Sequence, residues 1–269
     1  MRFLVAVIAL VGALIGFKAD ASAQDTERAQ KLLEMSEEAK GRALPDIVFT
    51  DTEGQTIRLS DYRGKPLLVT LVYTGCVNVC PTLIENLVPA VEVASEALGS
   101  DSFAVITVGF DIRQDTPQKL KSFARTRGAD MPNWKFLAAD QVSLDALAHA
   151  VGFGFFSRPG GFDHFSQVSL VNAEGRLHGQ VYGAVFDPPV IVEPLKNLVF
   201  RTNAPVQSLE RLIDRIKYFC TVYDPRTGRY YFNYSLFIGV AIGLACLGLV
   251  FFALVREWKR ASENSPGPS

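Results

Sequence analysis

The sequence predicts an α/β fold built on a parallel β-α-β unit, and three observations carry that prediction. Two continuous apolar runs of strand length, Leu67 to Val72 and Phe103 to Phe110, are separated by an amphipathic run of helix length, Thr82 to Leu98. Strand, helix, strand calls for a right-handed crossover in a sheet covered on both faces. Pairs of short strands separated by turn residues stand before and after this unit and frame it with hairpins.

Taken in order, the chain opens with Arg2 and the apolar run Phe3 to Phe17, followed by Ala21-Ser22-Ala23. This reads as a signal peptide over residues 1–23, cleaved after Ala23; the alternative is an uncleaved N-terminal anchor, and both deliver the chain outside the cytosol. Residues 24–44 have a helical period and a thin apolar stripe of Ala29, Leu32, Leu33 and Met35, which suits a leader helix or spacer. Residues 45–200 hold the domain itself. Ile47 to Phe49, a turn at Asp51 to Gly54 and Thr56 to Leu59 predict the opening hairpin, and Ser60 to Pro66 loops into the first central strand. Asp111 to Pro117 is the loop at the C-terminal end of the second central strand, and Thr116 or Asp115 can cap a helix over Gln118 to Arg127. In open α/β sheets chemistry gathers at such strand ends, so this loop and the one after Val72 are expected to be neighbours. Ser143 to Val151 gives a further helix, and Phe153 to Phe165 is a glycine- and aromatic-rich irregular loop. Gln167 to Val171 and Leu177 to Tyr182 form the second hairpin across the turn Asn172 to Gly175, and a closing helix covers Val190 to Phe200. Together these elements describe a thioredoxin-like α/β fold.

Residues 201–234 form a juxtamembrane segment, with a candidate helix over Val206 to Tyr218. Residues 235–255 hold no charge, and at about 1.5 Å per residue they suffice to cross a hydrocarbon core about 30 Å thick, which predicts a C-terminal transmembrane helix. Tyr230, Tyr231, Phe232 and Tyr234 at one end and Trp258 at the other match interfacial aromatic belts. Arg226 and Arg229 precede the span while Arg256, Lys259 and Arg260 follow it, so the signal peptide sets the orientation. The domain is expected to face the periplasm from a bacterial-type inner membrane, leaving residues 256–269 as a cytoplasmic tail rich in Ser, Pro and Gly. Lys and Arg number 27 against 28 Asp and Glu, a balance that offers no basic surface to nucleic acid.

The stretch with the most chemistry is Tyr73-Thr74-Gly75-Cys76-Val77-Asn78-Val79-Cys80-Pro81, between the first strand and its helix. Thiols at a helix N-terminus are activated by its unpaired N–H groups and partial positive charge. The Cys-x-x-x-Cys spacing puts both sulfurs on one helix face, pointing into solvent, if the helix begins early. A structural disulfide, a redox dithiol and a metal site using both thiolates are the three readings, and a third ligand decides between the last two. Of the histidines, His149 and His178 suit a helix surface and a hairpin, whereas His164 follows the flexible Gly160-Gly161 and stands where a loop reaches back over the cysteine helix. Two thiolates and one imidazole suit Cu(I), and Cu(II) when a further weak ligand joins. Asp111, Asp115 and Asp163 are candidates for supporting contacts around Cys76, Cys80 and His164. Cys246 lies within the span as a small apolar residue; Cys220 just before it reads first as a free buried thiol, with an intermolecular disulfide site or an auxiliary metal ligand as the alternatives, and Gly239 with Gly243 form a Gly-x-x-x-Gly.

Three blocks in order, Tyr73-Thr74-Gly75-Cys76-x-x-x-Cys80-Pro81, Val108-Gly109-Phe110-Asp111-x-Arg113-x-Asp115-Thr116-Pro117 and Asp163-His164, resemble the Sco/SenC family of membrane-anchored copper proteins over about residues 45 to 185. The resemblance implies Cys76, Cys80 and His164 as copper ligands and Asp111 as an aspartate near the copper. It implies delivery of copper to the binuclear centre of cytochrome c oxidase subunit II or a similar protein, reduction of that centre's cysteines, or both. A copper donor chaperone is then a partner, as is the membrane. Val77 and Ile112 stand where the family commonly has proline, and the span is C-terminal rather than N-terminal. The competing function is an extracytosolic thiol-disulfide reductase of thioredoxin type. Against it, no proline stands in the approach Asp163 to Gln167, where such reductases carry one.

Overall fold

The computed structural model of the chain describes residues 27–201 and 221–263. The expected signal peptide, the candidate helix at Val206 to Tyr218, Cys220 and the end of the tail lie outside the described residues. The chain divides into two compact units, residues 1–205 and residues 206–269.

In the first unit, a helix over 27–38 (α1) precedes a hairpin of β1 (Val48–Asp51) and β2 (Thr56–Arg58). Then come β3 (Leu67–Val72), α2 (Val79–Leu98), β4 (Ala104–Gly109), α3 (Pro117–Thr126), β5 (Trp134–Ala138) and α4 (Gln141–Val151). A short hairpin of β6 (Phe155–Arg158) and β7 (Gly161–His164) leads to β8 (Gln167–Val171), β9 (Leu177–Tyr182) and α5 (Pro188–Arg201). One seven-stranded sheet, in the order β2-β1-β5-β4-β3-β8-β9, organises the unit. The segment Phe153 to Phe165 is thus a hairpin and not an irregular loop, and β5 is a strand that the apolar periodicity does not reveal.

All six residues of β3 and all six of β4 are buried, as the centre of a sheet covered on both faces requires. The two run parallel from Leu67 opposite Ala104 to Val72 opposite Gly109, and β4 continues parallel into β5. Leu67, Val69 and Leu71 pack with Ile106, Val108, Leu144, Leu147 and Val151, so one sheet face is closed by α4. Alternation turns Leu68, Thr70 and Val72 to the other face. There α2 buries Cys80, Leu83, Ile84, Leu87, Val91, Ala94 and Leu98, a stripe at helical spacing, and packs against α5.

The leader α1 is docked on the domain. Gly152 ends α4 at φ 61°, and a Cβ there would lie 2.4 Å from the Met35 carbonyl oxygen, so the close approach requires glycine. Ser36 is fully buried; the Tyr182 hydroxyl donates to its Oγ at 3.0 Å, and Gln180 Nε2 donates to the carbonyls of Ser36 at 3.2 Å and Val151 at 2.6 Å. Helix and sheet therefore share one buried polar network.

In the second unit, β10 (Thr221–Asp224) and β11 (Arg229–Phe232) form a hairpin, followed by α6 (Ser235–Glu263). Phe237–Trp258 is long and apolar enough to cross a membrane, with mean hydropathy 2.7 and none of it buried. The helix runs past Val255 to Glu263, so the first part of the expected tail is helical.

Candidate metal centre

The parallel pair β3 and β4 ends at Val72 and Gly109 side by side, and the Phe110 N–H donates to the Val72 carbonyl at 2.9 Å. The cysteine loop and the loop from Asp111 are therefore neighbours at one end of the sheet. Their link is Asp115, which is buried. Its Oδ1 accepts from Thr74 N and Thr74 Oγ1, both at 2.7 Å, and its Oδ2 accepts from Asp111 N at 2.8 Å. A Cβ on Gly109 would sit 2.5 Å from that of Asp115, so glycine at the strand end makes room for the clamp. Burial raises the Asp115 carboxyl above the usual carboxylate range, against the hydrogen bonds from Thr74 and Asp111. Thr116 takes the capping role, with Oγ1 accepting from Lys119 N at 3.4 Å.

The two cysteines differ in placement. The helix begins at Val79, so Cys80 is its second residue and fully buried, whereas Cys76 lies on the preceding loop, half-buried. The expectation of two sulfurs on one helix face, both pointing to solvent, is corrected by this start. Asn78, the residue before the helix, makes no side-chain cap; instead the Cys80 N–H donates to Cys76 Sγ at 3.3 Å, so the sulfur serves one of the helix's unpaired donors. Burial works against a Cys76 thiolate. The N–H groups of Cys80 and Asn78, then the Cys80 thiol and the Tyr73 hydroxyl, outweigh it, and the Cys76 thiol falls below its usual value. Burial pushes the Cys80 thiol far up. Alkylation of the reduced full-length protein, followed by peptide mapping, is accordingly expected to modify Cys76 first, with a rate that rises through a midpoint below pH 9, at least about tenfold faster than Cys80. Equal rates at the two sites would contradict this asymmetry.

His164 closes β7, and its ring packs against Phe110, Phe153 and Tyr73 at centroid separations of 5.1, 5.7 and 6.0 Å. Nδ1 is 3.0 Å from the Phe165 carbonyl, which only accepts, so that nitrogen carries the proton and Nε2 presents a lone pair. Nε2 lies 3.7 Å from Cys80 Sγ. Burial lowers the His164 pKa, against the Phe165 carbonyl and the Asp163 charge, and favours the neutral ligating form. Asp163 forms an ion pair with Arg158 across the hairpin. The Asp111 carboxylate accepts from Arg113 N at 3.3 Å. His149 and His178 are exposed on α4 and β9. The aromatic surround of Tyr73, Phe110, Phe153, Phe155 and Phe162 is not singled out by motif; its signal is the density of rings between Phe153 and Phe165.

The model of the SCO1/SenC family matches residues 36–199. The chain belongs to the SCO1/SenC family. Among solved structures, this SCO1/SenC protein is similar to an electron transfer protein from Aquifex aeolicus VF5 at 27% identity and TM-score 0.54, covering 63% of this chain and 99% of the other. It shares its fold with Bradyrhizobium japonicum ScoI with copper bound, at 21% identity, TM-score 0.50 and coverage of 59% and 99%. It likewise shares its fold with BsSco, a member of the Sco family of cytochrome c oxidase assembly proteins in which a disulfide switch was identified, at 19% identity, TM-score 0.51 and coverage of 60% and 95%.

As they stand, no three His, Cys, Asp or Glu side chains among the described residues converge as a complete metal-binding group of this SCO1/SenC protein. What the fold assembles is a pair, Cys80 with His164, and Cys76 beside it on the loop. Bonds of about 2.3 Å from sulfur and about 2.0 Å from nitrogen to one ion fit a 3.7 Å gap between those donors. The donor set is soft, neutral at nitrogen and ionised first at Cys76.

Proposed function

We propose that this protein is a copper metallochaperone, with copper as cargo held by Cys76, Cys80 and His164 and passed to the binuclear copper centre of a respiratory cytochrome c oxidase. The observation that carries this reading is the 3.7 Å approach of the His164 Nε2 lone pair to Cys80 Sγ, with the Cys76 sulfur already turned to the Cys80 N–H. Thiolates and imidazole are the ligands that select Cu(I). Loading displaces the proton of Cys80, whose buried thiol does not ionise unaided, so uptake releases a proton to solvent. Cys76 ionises more readily and is the more accessible sulfur, the natural point for ligand exchange with an acceptor. Around it Val77 is 96% exposed, and Val79 and Ile112 are exposed as well, an apolar shoulder suited to a protein partner such as an oxidase subunit or a copper donor. In this reading α6 anchors the protein in the membrane, and export through residues 1–23 sets the domain, from about residue 45 to 200, in the periplasm.

A second reading rests on the same asymmetry. One activated thiol and one buried thiol at a helix start are the equipment of a thiol-disulfide reductase acting on oxidase cysteines. A copper competition separates the two. The reduced full-length protein is expected to take one equivalent of Cu(I) from a chromophoric chelator and to lose that capacity once Cys76 and Cys80 are oxidised. Failure to compete, together with fast dithiol exchange, assigns the reductase role instead.

A further inference from the structure

We infer that the β10–β11 hairpin lies in the lipid headgroup layer, with the Val222–Tyr231 pair turned to lipid and Arg226 and Arg229 level with the phosphates. The placement rests on α6 crossing the bilayer and extends that reading from the helix to the segment before it. A two-stranded hairpin is marginal in water on its own. This one is braced by its rings: Tyr223 and Tyr230 lie 5.3 Å apart, Phe232 meets Tyr234 edge-on at 4.6 Å, and Phe232 stacks on Phe237 of α6 at 5.7 Å. The face carrying Tyr223, Tyr230 and Phe232 is half-buried in these contacts and ties the hairpin to the first turn of the apolar helix.

The opposite face holds Val222 paired with Tyr231, 43% and 51% exposed, and Asp224 paired with Arg229. Chemistry is sorted along the strands. The open end, next to α6, carries the apolar and aromatic pair, and the turn end carries Arg229 and Arg226, the latter 94% exposed and 3.7 Å from Asp224. From Phe232 to Arg229 is three steps of about 3.4 Å, or about 10 Å along the strand. The headgroup layer is about 5–8 Å deep on each side of the hydrocarbon core. Because about 10 Å exceeds that depth, a hairpin seated on the start of the span and inclined to the bilayer normal puts its apolar end at the hydrocarbon boundary and its guanidinium groups at phosphate depth, where tyrosine and arginine are each favoured. A protein partner supplies no reason for this polarity; the water-to-lipid gradient does.

The test uses the full-length protein in vesicles of phosphatidylcholine and phosphatidylglycerol. Tyr231→Trp and, independently, Val222→Trp each add an indole, and the parent emission from Trp134 and Trp258 is subtracted. Lipid brominated near the headgroup end of its acyl chain is expected to quench the added emission about twofold more than lipid brominated near the methyl end, as for a ring at the hydrocarbon boundary, while aqueous acrylamide quenches it weakly. Added emission open to acrylamide places the hairpin in water and overturns the inference. Emission shielded from acrylamide and from both lipids also overturns it, in favour of a protein partner or a second copy. The parent emission keeps the two readings apart: if neither lipid quenches it, α6 does not span, whereas if it is quenched and both variants add nothing lipid-accessible, only the hairpin placement fails.

Discussion

Replacing His164 by alanine is expected to lower the affinity of the reduced protein for Cu(I) by at least about 100-fold, while His149→Ala and His178→Ala leave it unchanged. Losing a group that merely orients a ligand costs about 10–100-fold in metal affinity, so losing one of three ligands costs no less than the top of that range. The geometry singles out this imidazole. Its Nδ1 is committed to the Phe165 carbonyl at 3.0 Å, which aims Nε2 at Cys80, and burial among Tyr73, Phe110 and Phe153 keeps it neutral. The exposed His149 and His178 have no such surround. Competition against a chromophoric chelator measures all three variants. An unchanged affinity in His164→Ala would remove the imidazole from the site and leave a dithiol alone, to which the reductase reading would apply.

How much of this arrangement is legible in the sequence depends on whether local pattern or tertiary contact decides it. The continuous apolar runs fix β3 and β4, because a strand buried on both faces needs apolar residues throughout, and the turn at Asn172 to Gly175 fixes the β8–β9 hairpin. By contrast β5 reads Trp134-Lys135-Phe136-Leu137-Ala138, short and interrupted by a lysine that reaches Asp51 on the neighbouring strand, so its strand character comes from pairing with β4. The β6–β7 hairpin is likewise held by rings: Phe155 and Phe162 lie 5.0 and 5.3 Å from Phe110, a contact no local period encodes. At the site, the spacing of Cys76 and Cys80 is plain, but which residue opens the helix is not. Asn78 adopts φ −134° and ψ −74°, and this single backbone choice leaves Cys76 on a loop and buries Cys80. His164 meets the helix as the last residue of β7, 3.7 Å from Cys80 Sγ, and Gly160-Gly161, expected as a flexible loop reaching back, instead lies at the turn and start of that hairpin. Asp115 shows the limit most clearly. Its sequence position fits a helix cap, but its carboxylate turns inward to the neighbouring strand's loop and leaves capping to Thr116.

That inward turn carries the largest expected effect on stability. Asp115→Ala is expected to destabilise the domain by about 3 kcal/mol, because it strips the partly buried donors Thr74 N, Thr74 Oγ1 and Asp111 N of their common acceptor, and each stranded donor costs about 1 kcal/mol, the low end of the range for a buried one. In a thermal melt this reads as a fall of about 8 °C. Asp115→Asn keeps an oxygen for Thr74 but cannot accept from Asp111 N, and is expected to lose only about 1 kcal/mol. The pH dependence separates the clamp from simple packing. Burial raises the folded-state pKa of Asp115 above its unfolded 3.8, so its protonation adds stability that is full below 3.8 and is lost as pH rises through the folded value. The difference in stability between parent and Asp115→Asn therefore widens in favour of the parent as pH falls through that window. Because Thr74 lies two residues before Cys76, the alanine variant also frees the loop that carries the more reactive sulfur. Its Cu(I) affinity is expected to fall about tenfold with every ligand still present, the cost of losing a group that only positions ligands. A variant that melts like the parent and binds Cu(I) equally well would show that the two loops hold their places without the carboxylate, and that the fold alone presents Cys76 to Cys80.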